Sequence, residues 1–202
     1  MITMGVSAME PINTRAPADA ARAYVQLGWP VALGHRWRPR QGCTCDNPAC
    51  PAPGAHPVLP GGQPLDEEGV EGALEMAPGA SLIAATRQFD AVLVPHRIGM
   101  ATMAWLDRSH PVPCLVTDSN VAALLVLPAT GRYAAVHACV EVRTGEDGWI
   151  ALPPSHGTRW DTPPWLEATR TPRELLNGQE VGRHLREVIR MSTVVRSRGA
   201  RR

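Results

Sequence analysis

The stretch Ser81-Leu82-Ile83-Ala84-Ala85-Thr86-Arg87-Gln88-Phe89-Asp90-Ala91-Val92-Leu93-Val94-Pro95 decides how the rest of the chain is read. It holds two apolar runs, Ser81 to Thr86 and Phe89 to Pro95, split by the polar pair Arg87-Gln88. Each run has the length of a strand, and a helical pattern follows from Gly99 to Arg108, so the local reading is strand, strand, helix. Two more apolar pairs come after it. Val112 to Thr117 and Val121 to Leu127 flank Asp118-Ser119-Asn120, a turn composition that predicts a hairpin. Cys139 to Arg143 and Trp149 to Leu152 flank Thr144 to Gly148 in the same way.

Working outward, Pro17 suits the first turn of a helix in which Ala20, Ala21, Tyr24, Val25 and Leu27 recur at helical spacing until Gly28. Trp29 to Leu33 then reads as a short buried strand. Leu65 to Met76 reads as a helix with acids in its first turn, although each of its two internal glycines costs about 1 kcal/mol against Ala. Short strands grouped with helices predict an α+β domain, its mixed, mostly antiparallel sheet flanked by helices. Residues 1–16 form a leader, 17–170 the domain, 171–191 a C-terminal helix and 192–202 a basic tail. Trp29 and Trp105 are expected in the core, and Trp149, Trp160 and Trp165 over a sheet edge.

Composition excludes some classes. The 202 residues carry 20 basic and 19 acidic side chains, a balance that argues against a histone-like protein. That balance is uneven along the chain: residues 171–202 hold 8 basic and 3 acidic side chains. The longest apolar run, Val121 to Leu127, is too short to span a bilayer, and Met1 to Thr14 lacks the pattern of a secretory signal. The expectation is a cytoplasmic protein with no membrane partner.

Residues 35–64 are too rich in proline and glycine to form regular structure at length, and a loop this long inside a domain needs another source of order. Within it, Cys43, Cys45, Cys50 and His56 are spaced Cys-x-Cys-x4-Cys-x5-His. Three thiols and an imidazole are ligands of a closed structural zinc site, because four protein donors leave no position for water. A metal can supply the free energy that the loop's small apolar area cannot. His35 is a substitute for the fourth ligand.

Several of these segments together resemble the N-terminal primase–polymerase domain of bifunctional DNA primase/polymerases. They are Gly28 to Leu33, the Cys43 to Pro57 cluster, Ala80 to Thr86, Gly99 to Leu106, and Val140-Glu141-Val142-Arg143 through Trp149 to Pro153-Pro154-Ser155. The resemblance covers roughly residues 17–165, and the cysteine cluster and the last segment are its specific parts. It implies a primase–polymerase-like α+β fold with a metal-dependent nucleotidyl-transfer site on the sheet. The family's Asp-x-Asp, which holds magnesium or manganese, aligns with Leu93 and Pro95, and neither can ligate a cation. Ala123 occupies the position of a phosphate-contacting histidine. Glu141 aligns with a third acid, and Arg143 beside it is retained.

No catalytic set remains on this reading; Glu141 and Arg143 are remnants. The expected protein is a catalytically inactive primase–polymerase-like module that binds nucleic acid, a nucleotide or a protein. Arg36, Arg38 and Arg40, alternating with Trp37, are the candidate contacts to single-stranded DNA. One alternative is an active primase or polymerase using Asp90, Glu141 and a displaced acid such as Asp107, with Mg or Mn. Another is a purely structural or regulatory protein.

Overall fold

A computed structural model describes residues 12–38, 40–59 and 62–199, with side chains through residue 192. The leader expected at 1–16 and the end of the tail at 200–202 therefore fall largely outside the described residues. Helix α1 (Pro17–Gln26) starts on its proline, and the chain turns at Gly28, whose φ of 79° a side chain would resist, into β1 (Val31–Gly34). Residues expected to be structureless contain a small antiparallel pair, β2 (Trp37–Arg38) and β3 (Gly42–Cys43). Helix α2 (Val70–Met76) is shorter than the pattern from Leu65 predicts, because the Asp66 carboxylate accepts the Gly69 N–H and holds the first part as a turn.

The two runs expected as separate strands are one strand, β4 (Ser81–Pro95). Arg87 and Gln88 do not turn the chain; they sit exposed where the pairing register shifts. The pair expected around Thr144 to Gly148 is likewise one strand, β7 (Glu141–Leu152), which runs antiparallel along β4 with the same irregularity. Thr86 spans the gap, its hydroxyl donating toward the Gly145 and Gly148 carbonyls. Between them come α3 (His96–Leu106), β5 (Cys114–Thr117) and β6 (Val121–Val126). The last two form the predicted hairpin, Leu115 facing Ala123.

After Pro154 the chain adds β8 (Thr158–Thr162), which proline and tryptophan content had hidden. The C-terminal helix, α4, runs Gly178–Gly199: residues 171–177 precede it without helix, and it continues through most of the segment expected as a tail. The sheet order is β1-β4-β6-β5-β8, with β7 on the other edge of β4. All named pairings are antiparallel, as the α+β expectation has it.

Each face of the sheet carries a pair of helices. Strand alternation sends Leu82, Ala84, Ala91, Leu115, Ala123 and Leu125 to the face beneath α1 and α2, where Tyr24, Trp29, Phe89 and Trp165 form an aromatic cluster. It sends Val92, Val94, Cys114, Val116, Ala122 and Leu124 to the face covered by α3 and α4. Trp165, expected at a sheet edge, is 1% exposed, whereas Trp105, expected in the core, is 46% exposed on α3 with Arg108 over its ring.

Asp90 is the buried acid of this frame. It is 1% exposed, and its carboxylate accepts the Gly131 N–H at 2.7 Å and the Thr144 hydroxyl at 2.6 Å. It pins β7 and the 3-10 turn Gly131–Ala134 to β4. Removing it leaves two donors without an acceptor, so Asp90→Ala should lower unfolding stability by about 2–4 kcal/mol in urea titrations, and Asp90→Asn by less.

Candidate functional site

The metal loop is tied at its base: the His35 N–H donates to the His56 carbonyl and the Val58 N–H to the Leu33 carbonyl. Inside it the ligand atoms of Cys43, Cys45, Cys50 and His56 lie within 4.8 Å of one another. His56 Nε2 is 3.3 Å from both the Cys43 and the Cys50 sulfur. A tetrahedral ion with ordinary zinc bond lengths holds sulfur and nitrogen about 3.6 Å apart, so the set fits a metal such as zinc with small adjustment. His35 is not in the set. Its ring lies 4.7 Å from that of His56, and its Nδ1 is 3.2 Å from the Thr44 hydroxyl.

The electrostatics suit a cation. Burial, with the neighbouring His35, holds the His56 pKa below the usual imidazole range, which keeps the ring in its ligating neutral form. At Cys43 burial opposes the thiolate, but N–H donors from Gly54 and Cys45 and the adjacent thiols prevail and lower its pKa. Burial, together with Cys45 and Cys43, pushes Cys50 up to about 11. Thiols that hinder one another's ionisation are relieved by a shared positive ion.

Beside this loop lies a cleft of about 490 Å3. It opens on the part of the sheet face that α1 and α2 leave uncovered. Leu93, Pro95, Leu115 and Ala123 line its floor, and Glu141 and Arg143 one side. The metal loop supplies a wall through Trp37 and residues 52–55; Trp37 pairs across the strands with Cys43, and its ring stands 5.4 Å from that of His156.

Leu93 is flanked by Ala123 on β6 and by Glu141 on β7, so three positions singled out in the sequence sit side by side on adjacent strands. Arg143 donates from Nε to Glu141 at 2.7 Å and from Nη1 to the Trp149 carbonyl at 2.8 Å. Asp90 and Asp107 are elsewhere. Asp90 is buried against Gly131 and Thr144, and Asp107 caps the end of α3, its pKa raised by burial and by Asp161. Among the described residues, no group of three or more His, Cys, Asp or Glu converges except the Cys43, Cys45, Cys50 and His56 set.

Arg36, Arg38 and Arg40 are not part of the cleft. Arg36 borders a smaller hollow with Gly79, while Arg38 and Arg40 are exposed. Sequence reading marked Trp37 only as a residue between the candidate arginines and did not bring it together with Thr117 and His156, which share the cleft with it. Asp118 and Ser119 were visible as a turn, which they are, but their place on the rim depends on β8, since the Asp118 N–H donates to the Gly157 carbonyl just before that strand. Among the described residues no helix is long and apolar enough to cross a membrane.

Comparison of the chain with protein-family models, with curated proteins and with solved structures finds no match.

Elemental analysis of protein purified without chelator should find about one thiolate-preferring metal ion per chain. Cys45→Ser should lower that content and the melting temperature together. Affinity should fall as pH falls, because protons compete for the thiols and then for His56, whose competition begins below the usual imidazole range.

Proposed function

We propose that this protein is a primase–polymerase-like module that has kept the scaffold but not nucleotidyl transfer, and that it binds single-stranded nucleic acid at the cleft. The observation that carries this is the row Leu93, Ala123 and Glu141: where the resembled family needs acids and a histidine, two of the three side chains are aliphatic. Two-metal catalysis requires carboxylates that bridge a pair of divalent ions. Glu141 alone, already paired with Arg143, does not supply them.

In this reading the Cys3His set holds one structural zinc, whose role is to order the loop wall and not to touch the ligand. Arg38 and Arg40, exposed on that loop, meet phosphates, and the half-buried Arg36 beside Gly79 adds to the loop's positive charge.

Fluorescence anisotropy with labelled single-stranded DNA across a salt series tests the reading. Affinity should drop with salt, and the combined substitution of Arg36, Arg38 and Arg40 by Ala should flatten the dependence by about 2 in log–log slope. Primer-extension assays with Mg²⁺ or Mn²⁺ should show no incorporation. Incorporation abolished by Glu141→Ala would overturn the proposal in favour of an active enzyme, and the absence of salt-sensitive binding would leave a structural or regulatory protein.

A further inference from the structure

We infer that the cleft receives the base of a nucleoside unit, leaves its phosphates outside, and prefers bases that carry an exocyclic amino group. This rests on the nucleic-acid reading above and specifies what enters the site.

The first ground is charge. The acidic and guanidinium side chains lining the cleft are Asp118, Glu141 and Arg143, and the whole chain contains no lysine. Arg143 is already engaged by Glu141 and by the Trp149 carbonyl. A triphosphate entering the cleft would meet two carboxylates and one partly satisfied cation. Without a divalent ion to mask that repulsion, phosphate is the wrong chemistry for this interior.

The second ground is what the cleft does offer. Its floor of Leu93, Pro95, Leu115 and Ala123 is apolar, and Trp37 and His156 add an aromatic wall on which a flat ring can stack. At the rim, Glu141 is 60% exposed at its side chain, and Asp118 makes no ion pair among the described residues. Ionised carboxylates only accept hydrogen bonds. They therefore select ring edges that donate through an amino group, as adenine, cytosine and guanine do. Thymine and uracil set carbonyl oxygens on both sides of their single N–H and are disfavoured there. The volume of about 490 Å3 lies within the range of sites for small organic ligands.

Isothermal titration of the full chain, with no added divalent ion, compares cytidine and adenosine with thymidine and with the corresponding triphosphates. The expected result is thymidine binding about tenfold weaker than cytidine. Triphosphates should bind no tighter than nucleosides. Glu141→Gln should shrink the preference for amino-bearing bases, and Trp37→Ala should weaken all of them. Trp37→Phe, which keeps a ring beside the metal loop, should restore most of the binding and thereby separate stacking from loop damage.

Single strands of dC and dA should outcompete dT in the same order. Triphosphates binding tighter than nucleosides, or equal affinity for cytidine and thymidine, would overturn the inference. If all homopolymers bind with equal salt dependence and the cleft variants change nothing, the base-in-cleft inference falls, and of the nucleic-acid reading only binding through the loop arginines stands. If neither strands nor nucleosides bind, both fall.

Discussion

The pairing of β4 along both of its edges is the interaction on which the rest of the structure depends. Its first half is held by β1 on one side and the end of β7 on the other; its second half lies between β6 and the start of β7. Because both faces of β4 are apolar, it cannot be half-solvated as many antiparallel strands are. Cover is needed above and below, which is why one pair of helices packs beneath the aromatic cluster while α3 and α4 close the opposite side. A stretch of sheet face that escapes this cover becomes the cleft.

The metal loop is bound to that frame without adding a core of its own. Few of its residues are buried; backbone bonds tie its root to β1, and the Cys3His set could hold a metal that orders the rest. The pairing of Trp37 with Cys43 means that a candidate metal ligand and a wall of the cleft are set by the same two-strand unit. The metal set and the cleft are thus mechanically joined, though no metal ligand lines the cleft.

The α+β class, the β5–β6 hairpin and the metal set were legible because each is written in local sequence: alternation around a turn, or donors crowded within fourteen residues. The continuity of β4 and β7 was not. A polar pair such as Arg87-Gln88 breaks the apolar pattern, and only the facing strand, where Thr86 spans to Gly145 and Gly148, tells a bulge within one strand from a break between two. Trp105 and Trp165 were exchanged for a related reason: helical apolar spacing does not reveal which face a neighbour covers, and an irregular segment after two prolines does not reveal that it folds back into the aromatic cluster. The positions Leu93, Ala123 and Glu141 could be named one by one from the sequence, but their adjacency is a property of register between strands far apart in the chain.

Pro95 ends β4 and stands at the N-cap of α3 while also lining the cleft floor, two residues from Leu93. Aspartate is among the residues most favoured at an N-cap, so an acid at 95 would serve the helix well, and an acid at 93 would lie between Ala123 and Glu141 at the cleft. Two codon changes therefore separate the present apolar floor from a row of three carboxylates, with no rebuilding of the scaffold. On such a frame the charge of the cleft floor is set by side chains on which the backbone pairing of β4 with β6 and β7 does not depend.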